Sequence, residues 1–256
     1  MEKIGFIGMG NMAQALCSGF AKSKIEMAAF APNQEKLAAN AQKFGFVPCK
    51  SLDEVCDFAD TIIMACKPYQ IEEVLEKIRD KLSGKALVSI ALGWNFAKYV
   101  PLLNSSTRIQ FVMPNTPAMV GEGVFLFEKS NSLKEDERKE IWKLFATIGL
   151  VEELPDNLMG IGGAVSGCGP AFVDLFIEAY ADAAVKYGIQ RATAYRLVSQ
   201  TVLGTAKLQL ATGEHPGILK DNVCSPGGST IRGVTKLEEC GLRNACIKSI
   251  DAIMGR

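Results

Sequence analysis

The sequence has only one histidine, His215, among its 256 residues. Histidine is the side chain that most often moves protons near neutral pH, so any catalytic proton transfer must use another group or water, unless His215 itself serves. Eight cysteines are scattered along the chain, and no two of them form a Cys-x-x-Cys pair. We therefore expect no metal site, and we expect the cysteines to be reduced thiols in a cytoplasmic protein.

An excess of charge of either sign is also missing, since Lys plus Arg and Asp plus Glu number 28 each. Nucleic-acid binders usually carry a basic excess, so we expect no nucleic-acid partner. No apolar run approaches the roughly 18 residues that a membrane-spanning helix needs. The first residues lead directly into an apolar strand pattern without the features of a signal peptide, and we expect no membrane association.

The first half of the chain alternates between strand and helix patterns. Strands are predicted at residues 3–7, 27–31, 46–49, 60–66, 86–92, 108–113 and 123–127, with helices at residues 11–22, 35–44, from 51, 70–82 and 132–148. This order indicates an α/β fold, a Rossmann-type doubly wound parallel sheet with helices on both faces. Ligands bind such sheets at the carboxyl ends of the strands, so we look for chemistry in the loops there.

The pattern changes after about Pro155, where long helical stretches take over. Helices are predicted at residues 171–187, 192–212, 230–240 and 242–254. The first of these is apolar around most of its circumference, and such a helix must be buried on all sides. We therefore predict a nucleotide-binding domain at residues 1–156 and an all-α domain at residues 157–256 that is buried against a second subunit.

A dinucleotide fingerprint of the form Gly-x-Gly-x-x-Ala begins at Gly8, directly after the first strand. Gly8 permits the tight turn, and Gly10 lets the backbone approach the pyrophosphate. Asn11 and Met12 open the helix whose N–H groups face the phosphates, while Ala13 allows close packing of that helix on the strand. A match to this motif alone would be weak evidence of dinucleotide binding. Here the motif lies between a predicted strand and a predicted helix, which supports that function.

The end of the second strand indicates which dinucleotide is used. NAD-binding proteins place Asp or Glu there for the ribose 2′-hydroxyl, whereas this chain has Ala-Phe-Ala-Pro-Asn at residues 29–33. Asn33 and Lys36 are candidates to contact a 2′-phosphate, so we expect NADPH to be preferred, with NADH as the alternative. The competing interpretation of Asn33 is that it only caps the next helix.

Further cofactor-binding residues are expected in the later loops of the same edge. Ser51 begins the helix after the third strand, where it also opens a capping-box pattern. Cys66, Lys67 and Pro68 follow the buried fourth strand. Asn115 lies in a stiff loop between two prolines, which is suited to present polar groups to a ring. Taken singly, the proline motifs are also typical of structural turns.

A loop of small residues in the second half is a candidate anion site. A predicted helix is preceded or opened by five small residues, Ser225, Gly227, Gly228, Ser229 and Thr230. Such a loop exposes backbone N–H groups that are suited to a carboxylate. A second capping-box pattern starts at residue 235, and a helix starting there would weaken this geometry.

Together these motifs resemble the pyrroline-5-carboxylate reductases over nearly the whole chain. The resemblance rests on GFIGMGNMA at the start, CKP at 66–68, MPNTPAMVGEG at 113–123, SGCGPAF at 166–172 and SPGGSTIRGVTKLEE at 225–239. It implies NAD(P)H-dependent reduction of 1-pyrroline-5-carboxylate to L-proline, the last step of proline biosynthesis. It also implies a homo-oligomer, dimeric at least and often a pentamer of dimers.

The resemblance further implies roles for single residues. The substrate carboxylate is expected in the loop formed by Ser225, Gly227, Gly228 and Ser229, and Thr230 is the expected catalytic residue at the ring nitrogen. Three positions differ from the usual family pattern: Cys168 replaces serine, Cys224 replaces threonine or serine, and Phe111 stands where many members carry arginine. A thiol at residue 168 or 224 would make the enzyme sensitive to oxidation.

Two other function classes share part of this sequence pattern. The β-hydroxyacid dehydrogenases resemble the first domain but need a catalytic lysine along the first long helix of the second domain. No lysine occurs between residues 171 and 185, which argues against them. A non-catalytic NADP(H) sensor would share the fingerprint, but it would not explain the carboxylate-binding loop.

Overall fold

The computed structural model describes residues 2–255 and separates into two compact units, Met1–Gly167 and Cys168–Arg256. The strands of the first unit are β1 (Lys3–Ile7), β2 (Glu26–Phe30), β3 (Val47–Pro48), β4 (Thr61–Met64), β5 (Ala86–Ser89), β6 (Arg108–Met113), β7 (Gly123–Asn131) and β8 (Gly149–Leu154). Its helices are α1 (Asn11–Phe20), α2 (Gln34–Phe44), α3 (Leu52–Phe58), α4 (Ile71–Ile78), α5 (Phe96–Tyr99), α6 (Glu135–Ala146) and α7 (Met159–Ser166).

In the described chain the strands form one sheet with the order β3-β2-β1-β4-β5-β6-β7-β8. The first six strands of this order are parallel, and the order reverses direction along the chain between β1 and β4. This confirms the predicted α/β fold with a Rossmann-type sheet. Because parallel strands share one carboxyl edge, the loops after β1, β2, β4, β5 and β6 lie along that edge.

The two faces of the sheet carry separate hydrophobic clusters, which explains the apolar strands. Along β1, Phe6 packs into the cluster with α1 and α6, whereas Ile7 packs into the cluster with α3 and α4. Both side chains are buried, and alternate residues of a strand point to opposite faces. Each such large buried side chain contributes about 1.5–3 kcal/mol to folding.

Two features of the sheet were not predicted. The strand β8 is absent from the prediction, because only Val151 of its six residues is buried, so it shows no apolar strand pattern. The strand β7 pairs antiparallel with β6, so β7 and β8 run against the other six strands. The fourth strand ends at Met64 and not at Cys66, because the chain turns away through Ala65.

The helix α7 was also missed, since its sequence MGIGGAVS is rich in glycine and reads as a loop. This helix belongs to the first compact unit, so that unit extends to Gly167. The predicted domain boundary after residue 156 stays a prediction.

The second unit is entirely helical among its described residues. Its helices are α8 (Gly169–Lys186), α9 (Arg191–Thr212), α10 (Pro216–Asn222), α11 (Ser229–Glu239) and α12 (Leu242–Met254), of which the short α10 was not predicted. Pro170 lies in the first turn of α8, where proline is well tolerated. Ala181 is the residue of α8 that is fully buried in the single chain, whereas Leu175 is 65% exposed.

Candidate active site

The carboxyl edge of the sheet gathers the predicted cofactor loops of the first unit. The N–H of Gly8 donates to the carbonyl of Phe30 at 2.8 Å, and the N–H of Ala65 donates to the carbonyl of Ile7 at 2.8 Å. The loops after β1, β2 and β4 are therefore neighbours, joined by backbone hydrogen bonds just beyond the strands.

Gly8 turns the chain out of β1 with a φ of +99°, which L side chains rarely adopt. A Cβ atom at this position would lie 2.6 Å from the backbone N of Cys66 and from the backbone C of Ala65. The close approach of the β4 loop is thus a second reason for glycine here, besides the turn.

Gly10 and the start of α1 form an open backbone surface. A Cβ atom on Gly10 would meet nothing within 4 Å, so a ligand can approach this backbone. Gly10 is the N-cap of α1 and gives no side-chain cap, so the N–H groups of Asn11 and Met12 are available to an anion. Ala13 is 1% exposed and brings the helix close to the sheet. These residues fit the pyrophosphate of a dinucleotide.

The loop after β2 is held by amide side chains. Asn33 does cap α2, because its Oδ1 accepts from the backbone N of Lys36 at 2.8 Å. Asn33 is exposed and the cap uses only its Oδ1, so capping and ligand contact are compatible. The Gln34 Nε2 donates to the carbonyls of Ala31 at 2.9 Å and Cys49 at 3.3 Å, tying this loop to the chain after β3.

Ser51 caps the start of α3, but only one of the two bonds of the predicted capping box forms, because Glu54 bonds to Lys50 and not to the Ser51 backbone N. Its Oγ accepts from the backbone N of Glu54 at 3.2 Å, and the Glu54 carboxylate accepts from the backbone N of Lys50 at 2.7 Å. The cap is confirmed, and a contact between Ser51 and a cofactor stays a prediction.

The segment after β4 combines the half-buried thiol of Cys66 with the exposed Lys67. Burial raises the pKa of the Cys66 thiol to about 11, so the thiol is neutral near neutral pH. The backbone N of Lys67 donates to the Gln70 Oε1 at 3.2 Å, and Pro68 begins the short 3₁₀ turn that leads to α4. Cys66 therefore contributes shape and backbone groups and not a thiolate.

Asn115 is buried, and both atoms of its amide form hydrogen bonds within the first unit. Its Oδ1 accepts from the backbone N of Val124 at 2.8 Å, and its Nδ2 donates to the carbonyl of Ser166 at 3.0 Å. It thus links the loop after β6 to β7 and to the end of α7. The prediction that Asn115 contacts the cofactor did not anticipate these bonds.

Ser89, at the end of β5, is a positioning residue that the sequence reasoning missed. Its hydroxyl donates to the carbonyl of Trp94 at 3.3 Å and accepts from the Tyr99 hydroxyl at 3.0 Å. These bonds fix the loop at residues 90–95, which exposes Leu92 at the ligand edge. The only sequence signal was a serine at the end of an otherwise apolar strand.

The small-residue loop of the second unit leads directly into α11. This helix begins at Ser229, which excludes the alternative start at residue 235. Gly227 has a φ of +68°, and the N–H of Gly228 donates to the carbonyl of Ser225 at 3.0 Å. No side chain caps the helix, so its first N–H groups and the exposed hydroxyls of Ser229 and Thr230 are available to a carboxylate.

The three unusual positions have different environments. Phe111 is 3% exposed and packs with Leu126 and Met159, so the position usually held by arginine is part of a hydrophobic cluster here. Cys168 is exposed and Cys224 is partly exposed. Oxidation sensitivity at these two thiols stays a prediction.

The first unit provides a dinucleotide-binding edge, and the second provides an uncapped helix N-terminus with hydroxyl groups. This combination defines a two-domain NAD(P)-dependent reductase that acts on a small carboxylate. Comparison with known proteins gives the family. Residues 156–256 match the model for pyrroline-5-carboxylate reductase dimerisation, and residues 3–93 match the model described as NADP oxidoreductase coenzyme F420-dependent.

Full-length relatives agree with the first of these matches. The chain is 40% identical to a pyrroline-5-carboxylate reductase of Treponema pallidum, over 98% of both chains. It is 40% identical to that of Escherichia coli, over 99% of this chain and 96% of the relative. The structure of a Plasmodium falciparum pyrroline carboxylate reductase with NADP bound superposes with a TM-score of 0.88 at 34% identity, covering 98% of this chain and 95% of that one. The chain belongs to the pyrroline-5-carboxylate reductase family.

Proposed function

We propose that this chain reduces 1-pyrroline-5-carboxylate to L-proline with NADPH, as the last step of proline biosynthesis. Family membership supports the reaction. The observation within the structure that carries the proposal is the uncapped start of α11 at Ser229. An uncapped helix N-terminus surrounded by hydroxyls suits a carboxylate that must be held in one orientation.

The substrate needs little chemical activation. A cyclic imine is electrophilic once its nitrogen is protonated, and the bound dinucleotide supplies the hydride that adds to C5 of the ring. We assign the substrate carboxylate to the backbone N–H groups and hydroxyls at Ser225, Gly227, Gly228 and Ser229. Orientation of the ring there can contribute about 7–11 kcal/mol to the lowering of the barrier.

Thr230 is the residue that we assign to the ring nitrogen. Its hydroxyl is exposed in the first turn of α11, and it would keep the proton on the imine nitrogen. A Thr230→Ala enzyme should lose on the order of 10²-fold in kcat if the hydroxyl is a positioned proton relay. Steady-state rates with pyrroline-5-carboxylate measure this loss.

Thr235→Ala is the matched control for that substitution. The Thr235 hydroxyl lies on the same helix and donates to the carbonyl of Arg232 at 3.0 Å, so it serves the helix itself. Its removal should leave kcat within about twofold of wild type. Unchanged turnover in Thr230→Ala would remove Thr230 from the mechanism.

The cofactor is assigned to the carboxyl edge of the first unit. We assign the pyrophosphate to Gly10, Asn11 and Met12, where the backbone is open and uncapped, and to the turn at Gly8 that leads to them. The other proposed contacts are Asn33, Lys36, Ser51, Cys66, Lys67, Pro68 and the loop backbone at Asn115. NADPH is favoured over NADH, because no carboxylate lies at residues 29–33, although Glu35 follows in the first turn of α2. The relative from Plasmodium falciparum, whose structure contains NADP, supports this preference.

Residues 157–256 are proposed to form the dimerisation and substrate-binding domain of a cytoplasmic homo-oligomer. Within the helical stretch Asp156–Lys186, an 18-residue window has a mean hydropathy of 1.4, and only 6% of that window is buried in the single chain, so by length and composition alone the stretch could cross a membrane. The family match assigns this stretch to dimerisation, and we propose that a second subunit covers it, with no membrane or nucleic-acid partner. A pentamer of dimers is the larger assembly that we propose.

A further inference from the structure

Asn115 lies at the point where the loop after β6 meets two other elements. It follows Pro114 and precedes the 3₁₀ turn Thr116–Val120. The residue is 6% exposed, so its amide is shielded from solvent. A buried amide needs partners for both polar atoms, and here both are found within the first unit.

The two hydrogen bonds of Asn115 reach different elements. The Oδ1 accepts from the backbone N of Val124 at 2.8 Å, which anchors the loop to β7. The Nδ2 donates to the carbonyl of Ser166 at 3.0 Å. Ser166 is the last residue of α7, and carbonyls at that end of a helix lack partners within the helix.

The packing of α7 against the end of β6 also holds these elements together. A Cβ atom on Gly163 would lie 2.2 Å from the Met113 Sδ, so glycine lets the helix lie against the end of β6 without displacing the Met113 side chain. The carbonyl of Gly163 in turn accepts from the N–H of Gly167 at 2.8 Å. The end of α7 is therefore held on the sheet both by a close approach and by the Asn115 amide.

We propose that Asn115 is a positioning residue and that its side chain does not bind the cofactor. It fixes the loop after β6 at the ligand edge together with the end of α7, which is the last element of the first unit. This inference rests on the proposed reductase function, and it assigns the Asn115 side chain a different role from the cofactor contact predicted from the sequence.

Asn115→Asp separates the two roles with little change in shape. An Asp carboxylate still accepts from the Val124 N–H, but it can no longer donate to the Ser166 carbonyl, and two acceptor oxygens then face each other. We expect kcat to fall about 10- to 100-fold, because the reacting groups lose their alignment. The Kd of NADPH, measured by the fluorescence of the bound dihydronicotinamide, should stay within about twofold of wild type.

Asn131→Asp is the matched control. Asn131 also bonds through both amide atoms to backbone, donating to the carbonyl of Lys129 at 2.9 Å and accepting from the N–H of Leu133 at 3.2 Å. It lies at the other end of β7, away from the ligand edge, so its variant should retain wild-type kcat. If Asn115→Asp fails to fold, Asn115→Ser is measured in its place, since a short hydroxyl avoids the repulsion between the two oxygens.

The outcomes discriminate between the alternatives. A Kd for NADPH that rises about 10-fold or more with unchanged kcat would make Asn115 a cofactor ligand and overturn the inference. Wild-type kcat in the variant, with only a lower thermal midpoint, would reduce the residue to a purely structural role and overturn it as well. Wild-type enzyme that does not reduce pyrroline-5-carboxylate would refute the proposed function itself, which is a separate result.

Discussion

Single polar side chains at the carboxyl edge hold loops in place by bonding to backbone groups. Asn33, Ser51, Ser89 and Asn115 all do so. Each bond of this kind contributes only about 1 kcal/mol net, but leaving its buried partner unpaired costs more. The precision of the edge therefore depends on residues that need not contact a ligand.

Glu128 is a second kind of buried polar residue, one whose side chain can carry a charge. It is 1% exposed, and its Oε2 accepts from the backbone N of Phe96 at 2.8 Å, at the start of α5. Burial raises the pKa of Glu128, and the hydrogen bond from Phe96 opposes that rise. The protonated form is thus favoured more in the folded protein than in the unfolded chain.

The sign of the resulting pH dependence follows from this shift. The contribution of Glu128 to stability is full below the ordinary glutamate pKa of about 4.3 and is lost as the pH rises through the raised pKa. Glu128→Gln keeps an acceptor for the Phe96 N–H but does not titrate. The free energy of unfolding of the variant, measured in urea from acid to neutral pH, should fall less with rising pH than that of wild type.

Glu122→Gln provides the control for this measurement, because Glu122 is exposed. Its pH profile should follow that of wild type. Parallel profiles for wild type and Glu128→Gln would show that the buried carboxyl carries no such penalty.

For single residues, the sequence predicted where a motif residue lies in the fold better than it predicted the hydrogen-bond partners of a side chain. Gly8, Gly10 and Ala13 could be assigned because a strand-turn-helix motif fixes their roles locally. The partners of Asn115 could not be predicted, since Val124 and Ser166 are brought to it by a strand reversal and by a helix that the pattern did not show. Ser89 was missed for the same reason, because its partners depend on the path of the following loop.

Helices and strands with a clear apolar period were predicted within a few residues. The failures are α5, β8, α7 and α10, whose sequences lack that period or are very short. Tertiary packing fixes these elements: α7 forms against β6 and β7 although glycine disfavours helix. The Rossmann-type fold, which the structure confirms, could be predicted because the alternation of strands and helices is repeated over many elements.

We predict that the helix α8 lies in the interface between subunits. Leu175 is 65% exposed in the single chain, and the residues from 156 onward match the dimerisation model. Leu175→Glu would place a charge in an apolar interface and should weaken self-association at least about 100-fold, or about 3 kcal/mol. Sedimentation equilibrium measures the change.

Leu102→Glu makes the same chemical change on the first unit, where Leu102 is 39% exposed. This control should associate like wild type. If Leu175→Glu also keeps the wild-type mass, α8 does not lie in the subunit interface. The wild-type mass in the same experiment distinguishes a dimer from a pentamer of dimers.

At the scale of the whole molecule, each unit has its own backbone feature that is suited to a ligand. The first has an open backbone at the start of α1, and the second has an uncapped start of α11. The sequence predicted where both features lie, because each is a local motif. It could not show the environment of Phe111, which packs in a cluster with Leu126 and Met159 from distant parts of the chain.

Turnover of pyrroline-5-carboxylate tests the central claim most directly. The loss of NADPH absorbance is followed with purified enzyme, L-proline is identified as the product, and the assay is repeated with NADH. We predict substrate-dependent oxidation with one proline formed per dinucleotide, and a lower KM for NADPH than for NADH. A lower KM for NADH would contradict the cofactor assignment, and an enzyme that binds NADPH without reducing pyrroline-5-carboxylate would contradict the proposed function.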